Sequence, residues 1–190
     1  SHALGAYLKL STEEKLNNKR FLTIIDMSQT SDNQRFFLID MENKEVVHKS
    51  IVAHGRNTGS HQARYFSNEV GSYKSSIGFF TTAETYFGKH GLSLRLDGLE
   101  YTNDNARKRA IVIHSADYVS YGFIKKFGRL GRSLGCPTLP KENYKEVIDN
   151  IKNGSLLYIY YPNKDYLTKS VLANHSHKIS HQIWASTSVQ

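Results

Sequence analysis

Short runs of β-branched and aromatic residues, each bounded by turn residues, constrain this chain more than any other feature. Phe21–Asp26, Gln34–Asp40 and Glu45–Ala53 read as three strands, the last two joined by a turn at Asn43-Lys44. A meander of this kind favours an antiparallel sheet over βαβ units. Phe79–Thr82, the alternating Leu92–Leu96 before the Asp97-Gly98 turn, Ala110–Ile113 and Leu156–Tyr161 continue the pattern. Helices are few. Ser11-Thr12-Glu13-Glu14 has the chemistry of a helix start and predicts a short helix from Ser11. Tyr118–Phe127 predicts a second. Lys141–Lys152 predicts a third, with Tyr144, Val147, Ile148 and Ile151 at i, i+3, i+4 and i+7 ahead of an Asn153-Gly154 stop.

At 190 residues the chain suits one domain with short extensions. The boundaries expected are a helical N-terminal extension at 1–20, a folded domain at 21–162 and a polar C-terminal tail at 163–190. His175, His177 and His181 in that tail have a spacing that invites a zinc ion. No acidic or thiol ligand lies nearby, so no metal or other cofactor is expected. The net charge of +8 favours an anionic partner without choosing one. Arg107-Lys108-Arg109 and Lys125-Lys126 lack interleaved aromatics and read as solvated faces, so nucleic acid is not the expected partner. No apolar run is long enough to span a bilayer.

The only cysteine, Cys136, rules out an intrachain disulfide and leaves one thiol to explain. It lies in Gly128–Pro140, among three glycines and two arginines, where a core cysteine would sit in an apolar period. Glycines such as Gly131 and Gly135 allow close backbone approach, so the N–H groups of Gly135 and Cys136 are candidate oxyanion donors. Arg129 and Arg132 are expected to favour thiolate over thiol. A nucleophilic thiol needs a base, and His114, ending a β-branched strand before Ser115, is the strongest of the nine histidines. His48 alternates within a strand and reads as exposed and structural. His54 and His90, each before a glycine, are candidate pocket-lining groups. A papain-like protease is disfavoured, since His114 precedes Cys136 in the chain.

His114-Ser115 followed by Ser133-Leu134-Gly135-Cys136 resembles the signature of the YkuD-like L,D-transpeptidases, and specifically the murein L,D-transpeptidase catalytic-domain family. Segments 52–59, 66–80, 88–100, 103–119 and 131–140 resemble that family's motifs in the same order. The resemblance spans about Phe21 to Tyr161. Leu134 departs from it, standing where relatives carry a second histidine, and Ser75-Ser76-Ile77-Gly78 takes the place of a Thr-Pro-x-Gly entry.

The resemblance implies a mainly β, sandwich-like catalytic domain with a few flanking helices. It implies that Cys136 attacks the third-residue carbonyl of a peptidoglycan tetrapeptide stem, with His114 as base and the Ser115 carbonyl orienting it. Terminal D-alanine leaves, and an amine from a second stem, a lipoprotein or a free amino acid resolves the thioester. With water as acceptor the enzyme is a carboxypeptidase or endopeptidase, and a non-catalytic wall-binding module is the remaining alternative. Arg132, Ser133, His54, Tyr86 and Arg95 are the expected substrate contacts, the segment from Tyr86 to Leu99 a lid or cleft wall, and carbapenems the expected covalent inhibitors. The implied location is the periplasm or cell envelope, with any signal peptide lying outside this sequence.

Overall fold

The computed structural model describes residues 1–174. It is mainly β: strands β1 (Phe21–Asp26), β2 (Phe36–Asp40), β3 (Glu45–Ser50), β4 (Gly78–Gly88), β5 (Gly91–Gly98), β6 (Val112–Ser115), β7 (Thr138–Leu139) and β8 (Leu156–Tyr160) form one sheet. Its order is β3-β2-β1-β8-β4-β5-β6-β7. Flanking it are helices α1 (His2–Thr12), α2 (Tyr121–Phe127), α3 (Tyr144–Ile151) and α4 (Lys164–Lys169).

The predicted meander is β1-β2-β3, paired antiparallel. The sheet is mixed, because β8 enters between β1 and β4 and runs parallel to β1, while β6 and β7 are also parallel. β8 can occupy the centre because Leu156, Leu157, Tyr158 and Ile159 are all buried, so both faces of the strand are covered. Tyr158 stacks on Phe79 of β4 at 4.0 Å between ring centroids.

The two ends of the sheet meet. Three residues after β3, Ala53 forms an antiparallel bridge to Thr138 of β7, and Gly55 then bridges Ser133. The edge strands are thereby tied together through the loop that carries the cysteine, and the sheet curls toward a barrel.

α3 buries Tyr144, Val147, Ile148 and Ile151, the four positions its period selects. Ser120 caps α2, its hydroxyl accepting from Phe123 N, so that helix starts three residues later than Tyr118. The helix expected to begin at Ser11 instead ends there. Ala3, Ala6 and Leu10 form a stripe that packs into the main core, which places the helix upstream. Thr12 Oγ1 then donates back to Leu8 O, and Glu13 pairs with Lys9 and Lys15, closing the last turn.

Residues 163–174 are docked on the sheet. Asn163 caps α4, Tyr166 and Ala173 are buried in the main core, and both carboxylate oxygens of Glu100 hold this segment. Glu100 Oε2 accepts from Tyr166 OH at 2.8 Å and from Phe79 N at 2.9 Å, while Oε1 accepts from Ser170. The histidines His175, His177 and His181 lie outside the described residues. Tyr166→Ala removes a buried ring and its bond to Glu100, so we expect a loss of about 3–5 kcal/mol in urea unfolding. A loss below about 1 kcal/mol, the upper range for exposed sites, means that the segment contributes little to the fold.

Candidate active site

β6 ends in His114 and Ser115, and its parallel pairing with β7 sets His114 beside Thr138 and Ser115 beside Leu139. Cys136 lies two residues before Thr138, so this register brings thiol and imidazole to one end of the sheet. The opposite side of the cysteine loop is sewn to residues 53–56. Ala53 N donates to Thr138 O (2.9 Å), Ser133 N to His54 O (3.0 Å) and Arg56 N to Ser133 O (2.8 Å).

Within the loop, Ser133 Oγ accepts from Gly135 N at 3.1 Å and donates to Cys136 O at 2.6 Å. Gly55 N donates to Ser75 Oγ, which donates to Gly135 O, each at 3.0 Å. Gly135 has φ of +130°, and a Cβ there would lie 2.9 Å from Lys74 O, so glycine is required twice over. Its N–H, expected to face an oxyanion, is consumed by Ser133. The backbone donor left beside the thiol is the N–H of Cys136, which has no acceptor among the described residues. Ser133 likewise spends its hydroxyl on the loop instead of presenting it to a substrate.

His114 is buried and held on three sides. Nδ1 is 3.0 Å from Ser115 O, an acceptor only, so Nδ1 carries the proton in the neutral ring. Nε2 is 3.2 Å from Thr138 Oγ1. The ring of His90, from the tip of the β4–β5 hairpin, stacks on that of His114 at 4.5 Å. Burial pushes the His114 imidazolium below its ordinary range, and the His90 and Lys89 side push the same way, against the Ser115 carbonyl.

The thiol is shifted in the opposite sense. Cys136 Sγ sits 3.7 Å from Ala110 O, and burial raises its pKa, partly offset by the Val112 N–H and the Arg109 guanidinium. Both displacements favour an uncharged thiol and an uncharged imidazole in the resting site. The cation that acts on the thiol is thus Arg109, not Arg129 or Arg132. Read from sequence as part of a solvated run, Arg109 is half-buried against Gly135 and bonds Ser67 O, Ser76 Oγ, Ser72 Oγ and Lys74 O. Arg107 and Lys108 fit the solvated reading: both are exposed, and Arg107 is paired at the surface with Glu84 and Asp97.

The remaining candidates fall at different distances from the thiol. His54, expected to line a pocket, is 1% exposed and lies behind the loop, 2.8 Å from Arg35 Nη2 and 3.2 Å from Gly59 O. Arg35 only donates, so Nδ1 of His54 accepts from it and Nε2–H donates to Gly59 O. Arg35, itself fully buried, also donates twice to Val52 O, which fixes the start of the closing segment. Tyr86 and Arg95 are stacked on each other at 4.4 Å, with Arg95 also paired to Glu84 at 3.1 Å, on the hairpin and away from the loop. Arg132 is exposed and donates to Arg56 O and Gly59 O, close enough to Arg129 and Arg56 for their charges to act on it.

Beside His114 a cleft of about 680 Å³ opens between the hairpin tip and the segment after β6, lined by Lys89, His90, Ser115, Tyr118, Tyr144 and Lys145. Gly131 makes room for Tyr118: a Cβ there would lie 2.4 Å from the Tyr118 side chain. Thr138, Tyr118 and Arg109 were not visible as site residues in the sequence, since each is recruited by strand register or packing. Only the glycine beside His90 had marked that residue.

A family model described as L,D-transpeptidase catalytic domain matches residues 1–160. Similar solved structures include an L,D-transpeptidase from Mycobacterium smegmatis, at 15% identity and a TM-score of 0.46, covering 75% of this chain and 59% of that one. Another is an L,D-transpeptidase from Xylanimonas cellulosilytica, at 15% identity and a TM-score of 0.41, covering 74% and 60%. A third is LdtMt1 in complex with imipenem, at 15% identity and a TM-score of 0.45, covering 74% and 59%. This chain therefore spans about three-fifths of the length of these structures. No curated protein matches it.

Burial and Arg35 hold His54 down at a pKa of about 4, so the folded state keeps it neutral where an unfolded chain protonates it. Its contribution to stability is complete above the unfolded value of about 6.5 and is lost as pH falls toward 4, on the order of 3 kcal/mol. We expect His54→Gln to flatten the decline of urea-unfolding free energy between pH 6.5 and 4; an unchanged slope would mean that another group carries it.

Proposed function

Since the chain belongs to the L,D-transpeptidase catalytic-domain family, we propose that it is a peptidoglycan L,D-transpeptidase whose nucleophile is Cys136 and whose base is His114. The observation that carries this reading is the β6–β7 register, which pairs His114, anchored on the Ser115 carbonyl, with Thr138, two residues after the only thiol.

The resting electrostatics define the first step. With thiol and imidazole both neutral, the proton leaves Sγ for His114 as sulfur attacks the third-residue carbonyl of a tetrapeptide stem, so His114 acts as general base. The Cys136 N–H is a donor for the developing oxyanion. The imidazolium returns its proton to the departing D-alanine amine, leaving a thioester. The side-chain amine of a second stem then attacks the thioester and a 3-3 cross-link forms; a lipoprotein amine or water in its place gives an attached protein or a trimmed stem. The hairpin carrying Lys89 and His90 covers the imidazole and the cleft beside it, which suits a lid that limits water at the thioester. Arg132, with Arg56 and Arg129, offers guanidinium groups to a stem carboxylate. Peptidoglycan as substrate gives a place in the cell envelope, and the periplasm is the compartment proposed. No helix among the described residues is long and apolar enough to cross a membrane.

Purified protein with defined tetrapeptide muropeptides, read by mass spectrometry, tests the proposal. Cross-linked dimers are expected; trimmed stems alone make the enzyme a carboxypeptidase. Cys136→Ala and His114→Ala should each lower turnover by at least about 10³-fold, typical for a removed nucleophile or base, with thermal midpoints close to wild type. Full activity in either variant removes the assignment. Imipenem should add one covalent equivalent at Cys136. In wild type, the acid limb of kcat/KM should fall below the ordinary imidazole value of about 6.5, because His114 is shifted down, and the thiol limb above about 8.5, because Cys136 is shifted up.

A further inference from the structure

Thr138 is fully buried, and its hydroxyl meets two polar groups of the site. Oγ1 lies 3.2 Å from His114 Nε2 and 3.3 Å from Cys136 O, beside the Tyr118 phenol. A hydroxyl has one proton to give and room to accept two. While His114 is neutral its Nε2 can only accept, so the Thr138 proton points to Nε2. Once His114 is an imidazolium, Nε2–H must donate. Oγ1 then accepts from Nε2, and its own proton has Cys136 O to turn to.

We propose that Thr138 is a positioning residue whose hydroxyl donates to Nε2 in the resting site, turns to the nucleophile's carbonyl to free that lone pair for the thiol proton, and then accepts from the Nε2–H of the imidazolium. The proposal rests on the Cys136–His114 reading above. In the step it serves, the S–H bond of Cys136 breaks, an N–H bond forms at Nε2, the sulfur electron pair goes to the substrate carbonyl, and Thr138 keeps its proton. The charged and titratable groups that act on His114 are Lys89 and His90 from the hairpin, with Tyr118 beside Thr138 and Arg109 acting on the thiol. None of them can exchange donor for acceptor at Nε2, whereas a hydroxyl already seated there can.

Thr138→Val keeps the β-branched shape and the backbone bridge to Ala53 but deletes the hydroxyl; Thr138→Ser restores it. Imipenem acylation is followed against pH for wild type and both variants, and the His114 ring is titrated by NMR. Valine should slow acylation by about 10- to 100-fold, the loss of a hydrogen bond to a charged group, and move the His114 titration to lower pH, since the imidazolium loses its acceptor. Serine should stay within a few-fold of wild type in both. An unshifted His114 titration in the valine variant, or a serine variant as slow as valine, overturns the proposal. Wild type that imipenem does not acylate counts against the enzyme reading, and the NMR titration then decides the role of Thr138 by itself.

Discussion

Everything at the site depends on the backbone pairing of residues 53–56 with residues 133–138. That pairing closes the sheet, because Ala53 extends the β3 edge and Thr138 belongs to the β7 edge. It also immobilises the cysteine loop, which has β6 on one side and the closing segment on the other. A short loop between two ladders has few conformations left, so the cost of ordering the thiol is met by the folding of the sheet. The buried Arg35 serves the same end from behind. A guanidinium without water must spend its donors on carbonyls and on His54, and those acceptors are the backbone and side chain that lead into the closing segment.

The same burial sets the electrostatics. Removing thiol and imidazole from water disfavours charge on each, which outweighs the one guanidinium, Arg109, that reaches the sulfur. A preformed ion pair is thus not the resting condition. Arg129 and Arg132 share the loop with Cys136 in sequence, yet Arg129 donates to Leu130 O and the exposed Arg132 to Arg56 O and Gly59 O. Proximity along a chain says little about which charge a buried atom feels.

Much of this was legible in the residues. β1 and α3 have the periods that their sequences display, and the mainly β class follows from the number of short β-branched runs. Cys136 stood out through glycines whose backbone angles and lack of a side chain are in fact needed, at Gly135 against Lys74 O and at Gly131 against the Tyr118 ring. The helix placed at Ser11 was misjudged because a capping sequence and the last turn of a helix use the same polar residues. Only the core-facing stripe Ala3, Ala6 and Leu10 distinguishes them.

The sequence by itself determined the strand inventory, the single thiol and the histidine at the end of a β-branched run, because these are local matters of pattern and residue chemistry. Tertiary structure alone decided that β8 runs up the middle of the sheet, that Arg109 and not Arg132 faces the sulfur, that His54 is a buried strut, and that Thr138 and His90 attend the imidazole. Each of those depends on strand register or on a contact between distant segments. A shift of one residue in register turns a strand's side chains to the opposite face. No local pattern encodes that choice; it is made when the closing segment and the cysteine loop pair.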